Sequence, residues 1–186
     1  MKLTTKRLIL RQITMKDVKD LVENINNIKV SRNMLPVPYP FTMKDAKWWV
    51  AHCKEKAKEK PRTSYEFAIE LKSEKRLIGG FGLIDVNRFR GTAELGYWLG
   101  EKYWRKGYGI EAATKVLDFA FNKLRLRKIK IPAFKENKAS NALVRKLGFK
   151  LEGRLRKHAI SKATGKIHDE NIYGLLKEEW RKAKKG

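Results

Sequence analysis

Two cations and two glycines fall within Arg105-Lys106-Gly107-Tyr108-Gly109, and the apolar residues that follow, Ile110, Ala113, Leu117 and Phe121, recur at helical spacing. Cations, glycines and a helix N-terminus in that order can hold a phosphate. Gly107 and Gly109 lack Cβ atoms, so successive backbone N–H groups can turn toward an anion while the helix N-terminus adds partial positive charge. Each charge-assisted hydrogen bond of this kind contributes roughly 1.5–3 kcal/mol, so a few suffice to hold a dianion. The loop differs from the P-loop, which ends Gly-Lys-Ser/Thr, because Lys106 precedes Gly107. It also differs from the dinucleotide fingerprint, which needs a third glycine and an acidic residue about 20 positions on in a parallel βαβ unit. Taken alone, the same residues equally suit a tight strand-to-helix turn.

A second polar pair, Asn137 and Ser140, is three residues apart and so on one face of a helix. Without further context these are equally an N-cap and a surface serine. Cys53 is the single cysteine, which excludes an internal disulfide and fits a reducing cytoplasm. No histidine with an acidic orienter can be assigned to make it a nucleophile. His52, His158 and His168 show no metal-ligand spacing, so no metal is expected. His52, beside Trp48 and Trp49, reads as packing, and His168, alone in a hairpin strand, as structural.

The elements that must position these residues follow from periodicity and breakers. Residues 6–11 form a first strand, Thr14 caps a helix running to about Asn26, and Thr42 caps a second helix carrying Trp48 and Trp49. Between the helices, 33–41 holds three of the five prolines and forms an ordered loop exposing Tyr39 and Phe41. Strands at 65–71 and 77–85 are joined by a polar turn, and the strand at 94–99 delivers the chain to the glycine loop. After the long helix come a strand at 128–131, a short helix at 137–147 stopped by Gly148, and a hairpin of 149–155 with 167–175 around Thr164-Gly165. The order β-α-α-β-β-β-α-β-α-β-β predicts one α+β domain over residues 1–180, with a mixed central sheet of about seven strands flanked by helices. Residues 181–186 are expected to be a basic, disordered tail.

Lys and Arg total 44 against 20 Asp and Glu, a net charge of +24. Basic runs at 125–130, 154–157 and 181–185 are spread along the chain, so the surface attracts polyanions such as RNA; the same composition also suits a Lys-rich, thermophile-like surface. With 186 residues, 42% of them hydrophobic, the chain can bury one core. No apolar run of about 18 residues exists and the first residues lead straight into a strand, so neither a membrane span nor a secretory signal is expected, and the cytoplasm is the expected location.

Several segments together, in this order and over nearly the whole chain, resemble one known family. They are Thr5-Lys6-Arg7-Leu8-Ile9-Leu10-Arg11, Glu94-Leu95-Gly96-Tyr97-Trp98-Leu99, Trp104-Arg105-Lys106-Gly107-Tyr108-Gly109-Ile110-Glu111-Ala112, Glu136-Asn137-Lys138-Ala139-Ser140, Lys146-Leu147-Gly148-Phe149 and Glu152-Gly153. The set is similar to the GNAT superfamily of N-acetyltransferases, and within it to the ribosomal-protein N-terminal acetyltransferases. One residue departs from the pattern: the family's loop usually begins with Gln or Arg three residues before the first glycine, where this chain has Trp104.

The resemblance implies a GNAT-like sheet splayed between its fourth and fifth strands (94–99 and 128–131) and acetyl-coenzyme A as co-substrate. It implies a pyrophosphate on the loop Trp104, Arg105, Lys106, Gly107, Tyr108 and Gly109, and a pantetheine arm pairing as an extra strand with Tyr97, Trp98 and Leu99. Asn137 would bond the pantetheine amide, strand amides at the splay would form an oxyanion hole, and Ser140 would protonate the departing thiolate.

Direct attack of a neutral amine on the thioester makes the amine's pKa decide the acceptor. An α-amine near 7.7–8.0 is roughly 10% neutral at pH 7, a lysine near 10.4 only about 0.04%, a difference of some 3 kcal/mol. A base must take the proton, and Glu94, at the start of the strand flanking the co-substrate, is the candidate; the alternative is a solvated strand-end carboxylate. Tyr39 and Phe41 either pack on the acceptor's first residues or pin their loop to the core. The expected function is acetylation of a protein's N-terminal α-amine, by resemblance a ribosomal protein reached across an RNA-rich surface, with a homodimer by analogy alone. The alternatives are a small amine, such as a polyamine or aminoglycoside, which so basic a chain would repel, and a non-catalytic RNA-binding module on the same fold.

Overall fold

The first expected strand, residues 6–11, is found at Leu8–Arg11, and a further strand precedes it. In the computed structural model, which describes residues 1–183, Lys2–Thr4 (β1) and Leu8–Arg11 (β2) form an antiparallel pair joined by a tight turn at residues 5–7. The turn is held from outside: the Thr5 hydroxyl and the Arg7 backbone N–H both donate to the Glu111 carboxylate, at 2.6 and 2.8 Å. A 3-10 turn, Met15–Asp17, leads into Val18–Ile25 (α1), with the Asp17 carboxylate accepting from the Thr14 backbone N–H at 2.7 Å. Asn27 caps a further short helix, Ile28–Ser31 (α2), and Thr42 caps Met43–Lys56 (α3).

Tyr65–Leu71 (β3), Arg76–Asn87 (β4) and Thr92–Leu99 (β5) are the expected meander. Tyr108–Asp118 (α4) continues through a π-helical turn, Phe119–Lys123. Lys128–Phe134 (β6), Lys138–Lys146 (α5), Lys150–Ile160 (β7), Ile167–Leu176 (β8) and Lys177–Ala183 (α6) complete the chain. Residues 181–183 of the expected tail thus end a helix that buries Trp180, and residues 184–186 lie outside the described residues.

The strand order is β1-β2-β3-β4-β5-β6-β8-β7, eight strands against about seven expected, and every pairing but one is antiparallel. The exception is β5 with β6, a parallel contact of three rungs, Thr92↔Lys128, Ala93↔Ile129 and Glu94↔Lys130, after which the strands part. The splay expected between the fourth and fifth strands is therefore present, as β5 and β6. Strand β6 runs past its expected end at Ile131 and contains Pro132, whose missing N–H breaks no ladder bond on the side that β5 has left. On its other edge β6 stays paired with β8 as far as Phe134↔Glu170.

Alternate residues of a strand face opposite sides of the sheet. Ala93, Leu95, Tyr97 and Leu99 of β5 face a large core shared with Ala112, Ala113, Val116 and Leu117 of α4 and Val144 of α5. Trp98 packs instead against a smaller core with Leu21 and Ile25 of α1 and Ala46, Val50 and Cys53 of α3, so Glu94 and Gly96 share that second face.

Helix α5 is fixed by the buried Asn141. Its Nδ2 donates to the Phe134 and Asn137 carbonyls at 2.9 and 2.7 Å, and its Oδ1 accepts from Asn171 Nδ2 at 2.9 Å and the Tyr173 hydroxyl at 2.7 Å. Every polar position of that amide is satisfied, so its removal orphans buried partners. Asn141→Ala is expected to lower stability by about 2–4 kcal/mol in equilibrium denaturation, and a loss below about 0.5 kcal/mol would mean that α5 is held by other contacts.

Candidate active site

A 3-10 turn, Glu101–Tyr103, carries the chain from β5 into the glycine loop. Arg105 (φ 59°) and Gly107 (φ 79°) both adopt left-handed backbone, which only glycine does at no steric cost. Gly109 is small for another reason: a Cβ there would stand 2.9 Å from Leu143 Cδ1, so its absence lets α4 pack on α5. The loop holds a third cation that no local pattern reveals. Arg7 reaches in from the β1–β2 turn, donates from Nη1 to the Lys106 carbonyl at 2.9 Å and from Nε to Glu111 at 2.6 Å, and lies 4.4 Å over the Tyr108 ring. Its Nη2 lies 3.3 Å from where a Cβ on Gly107 would be, at the N-terminus of α4. Arg7 thus joins the neighbouring Arg105 and Lys106 at that helix end, where backbone N–H groups and cations together suit an anion. Trp104 donates its indole N–H to the Leu99 carbonyl at 2.7 Å, which fastens the loop to the end of β5 and occupies that carbonyl.

On the face toward α4 and α5, the Tyr97 hydroxyl donates to Ser140 Oγ at 2.9 Å, a contact from β5 to α5 beside the splay. Burial holds the Tyr97 phenol above its usual range, so it remains a proton donor. Asn137 does cap α5, its Oδ1 accepting from the Ser140 backbone N–H at 3.1 Å. The cap is also what sets Ser140 beside Tyr97, so the two roles weighed for this pair coincide in space.

On the opposite face Glu94 is not free. It pairs with Lys130 Nζ at 2.9 Å across the last rung of the parallel ladder, and its carboxylate holds the Lys130 ammonium above the usual range, with Asp85 and Glu170 adding to the effect. A different carboxylate stands nearer the open part of this face. Glu66 of β3 lies opposite Gly82 of β4, its carboxylate filling the space that a Cβ on Gly82 would need. Beyond Gly82 in the same row is Gly96 of β5, where a Cβ would have nothing within 4 Å. Glu66 has no hydrogen-bond partner among the described residues, and burial pushes its carboxyl up to about 7, Arg62 pulling it back only in part. In this row the space over Gly96 is open, and the Glu66 carboxylate lies over its neighbour Gly82.

Of the two aromatics expected to meet an acceptor, Phe41 is 5% exposed within the smaller core and therefore pins its loop, while Tyr39 is exposed. The loop is tied to the β7–β8 hairpin, the Lys162 N–H donating to the Leu35 carbonyl at 3.2 Å. Cys53 is buried under the same face, and burial, with the Glu66 charge second, pushes its thiol up to about 12, which keeps it out of the chemistry. His168 stacks on Phe134 at 4.4 Å and His52 on Trp48 at 5.1 Å, both packing contacts.

A family model described as an acetyltransferase (GNAT) domain matches residues 7–150. The uncharacterized N-acetyltransferase YoaA of Bacillus subtilis (strain 168) is 33% identical over 180 residues, covering 94% of this chain and 96% of that one. Spermidine N(1)-acetyltransferase of Escherichia coli (strain K12) is 27% identical over 146 residues, 78% of this chain and 74% of that one. A solved structure from Vibrio cholerae, provisionally assigned as a ribosomal-protein-serine acetyltransferase, superposes with a TM-score of 0.80 at 26% identity, over 95% of this chain and 97% of that one.

The two halves of the site can be tested separately. Arg7→Ala is expected to raise the dissociation constant for coenzyme A, measured by calorimetry, by about 10- to 100-fold, whereas an unchanged constant would place Arg7 outside the cradle. Glu66 titrates near 7 when folded against 4.5 when unfolded, so its neutral form fits the fold below 4.5 and ionisation costs stability as pH rises through 7. Glu66→Gln should leave stability unchanged near about pH 4.5 and raise it by about 2–3 kcal/mol near about pH 8.5; equal effects at both pH values would overturn the assignment of a raised carboxyl.

Proposed function

The chain belongs to the GNAT acetyltransferase family, whose members transfer acetyl from acetyl-coenzyme A, and from that premise we propose that its acceptor is the N-terminal α-amine of a polypeptide, a ribosomal protein by kinship with the Vibrio cholerae relative. The observation that carries this reading is the Glu66 carboxyl, poised near 7 beside the Gly82–Gly96 floor. Taking a proton from an α-ammonium of pKa near 8 is uphill by about one unit, ~1.4 kcal/mol, but from a lysine or polyamine ammonium near 10.4 by more than three, ~4.6 kcal/mol. A polyamine also calls for several free carboxylates, and here Glu94 is held by Lys130 while Arg62 acts on Glu66. Both points disfavour the acceptor named for the Escherichia coli relative.

In this mechanism Arg7, Arg105, Lys106 and the amides of Gly107, Tyr108 and Gly109 hold the phosphates of the co-substrate, with Trp104 fastening the loop. The edge of β5 at Tyr97, Trp98 and Leu99, left unpaired by β6, receives the pantetheine arm, and Asn137 bonds its amide through the nitrogen not used in capping. Acetyl-coenzyme A supplies an acetyl thioester to the splay. The acceptor amine enters from the other face over Gly96, with Tyr39 at the entrance, and gives its proton to Glu66 directly or through a water. Its lone pair attacks the carbonyl carbon while strand amides at the splay stabilise the oxyanion. As the C–S bond breaks Ser140 gives its proton to the thiolate and Tyr97 passes one to Ser140, while the second proton of the amine nitrogen returns through water to the Tyr97 oxygen, so coenzyme A leaves as the thiol and Tyr97 is restored. Glu94, fixed by Lys130, holds the apex of the splay, and Glu66 takes the role of base first expected of it.

Peptides matched in sequence, one with a free α-amine and one blocked there but carrying lysines, should divide cleanly by mass spectrometry, only the first being acetylated. Preferential acetylation of the blocked peptide or of spermidine would overturn the acceptor assignment. Glu66→Gln is expected to lower kcat by roughly 10²–10⁴ and to remove the rise of kcat/KM through about pH 7, leaving the amine's own rise near 8. An unaltered pH profile in that variant would remove Glu66 from the mechanism.

A further inference from the structure

Strand β7 is the outer edge of the sheet, and all of its residues except Ala159 are exposed. Its pairing with β8 passes from Leu155↔Glu170 to Ala159↔His168, so residues 156–158 oppose Asp169 alone. The outward bulge is built, with Lys157 at φ 47°, its backbone N–H donating to Asp169 at 3.0 Å and His158 Nδ1 lying 3.0 Å from Glu170. Arg154, Leu155, Arg156, Lys157, His158 and Asp169 line a groove there. Its one acid, Asp169, already faces Lys135 at 3.7 Å, and the side chains of Arg156 and Lys157 have no ion-pair partner among the described residues.

The groove lies on a direct route from the acceptor floor. Strands β5, β6, β8 and β7 are successive neighbours, and the register carries Phe134 of β6 to Glu170 of β8 and on to Leu155 of β7. Two strand spacings from β6 to β7 are about 10 Å and the splay between β5 and β6 adds more than one further spacing, so the path exceeds about 14 Å, which five or more extended residues span at about 3.3 Å each. Resting on the α-amine reading above, we propose that β7 recognises an acidic segment at about positions 4–8 of the acceptor polypeptide, with Arg156 and Lys157 as its counter-charges. The occupant is a polypeptide because β7 offers an unpaired strand edge flanked by Leu151 and Leu155, 49% and 42% exposed, which an extended chain can join. A nucleic acid finds no stacking platform on it, since residues 150–160 contain no Phe, Tyr or Trp.

The test is steady-state acetylation of peptides sharing their first three residues and carrying acidic, neutral or basic residues at positions 4–8, by the wild type and by Arg156→Glu/Lys157→Glu. The acidic peptide is expected to show a KM about tenfold below the neutral one at low salt with kcat unchanged, and the gap should close in the doubly reversed variant and at high salt. An unchanged kcat of that variant on the neutral peptide reports an intact fold. Equal KM for acidic and neutral peptides overturns the proposal alone, whereas acetylation of spermidine with no peptide modified overturns the α-amine reading and this proposal together. Salt-sensitive binding of a single-stranded RNA probe, abolished by the reversal while peptide KM stays put, overturns it in favour of a nucleic-acid contact.

Discussion

The site depends on the brevity of one parallel contact. Strands β5 and β6 share three rungs and no more, with Glu94 and Lys130 paired across the last and Pro132 two residues further along. Had the ladder continued, backbone hydrogen bonds would have sealed the sheet and separated its two faces. Because it stops, Tyr97, bonded to Ser140 on one face, and Gly96, the end of the Glu66–Gly82–Gly96 row on the other, both stand on the stretch of β5 that β6 has left. Donor and acceptor of an acyl group can then approach from opposite sides without a loop or lid between them. The unpaired backbone groups that this leaves inside a sheet are costly unless satisfied, and a strand-like ligand is what satisfies them.

Long-range polar contacts keep the parts of the site in register. Glu111, on the first turn of α4, binds the β1–β2 turn and so delivers Arg7 to the phosphate loop. Trp104 ties the same loop to the end of β5, and Asn141 ties α5, with Asn137 and Ser140, to β6 and β8. None of these side chains needs to touch a substrate. They act by holding neighbours whose positions would otherwise drift, which a preorganised site requires.

The carboxylates divide between structure and chemistry. Asp17 and Glu70 are bound by Arg11, Asp20 by Arg76, and Glu101 by Lys29, so these acids are spent within the fold. Glu66 is the contrast: half-buried, without a hydrogen-bond partner among the described residues, and over a glycine whose missing side chain makes room for it. An unpaired carboxyl in such a place weakens the fold at neutral pH, and strongly perturbed groups of this kind concentrate at functional sites. With so few acids free and 44 Lys and Arg in the chain, the surface that remains is cationic.

Much of this was legible without coordinates. Hydrophobic period, prolines and caps located the meander, the long helix after the glycine loop and the hairpin, because each is set by contacts within a few residues. The glycine loop at the start of the long helix was legible for the same reason, lying in five consecutive residues, whereas Arg7, which reaches it from the β1–β2 turn, was not. Elements held from elsewhere were not: the turn between β1 and β2 depends on Glu111, 104 residues from Arg7, and the end of β6 beyond Pro132 depends on where β5 leaves it. The sequence by itself determined the fold class, the splay implied by the family resemblance and the placing of Asn137 and Ser140 on one face of a short helix. Only the tertiary structure showed that Glu94 is paired with Lys130, that Glu66 has no hydrogen-bond partner among the described residues and that Phe41 belongs to the core. Proton affinity and exposure are set by neighbours that strand order and register bring together, and no single stretch of chain contains them.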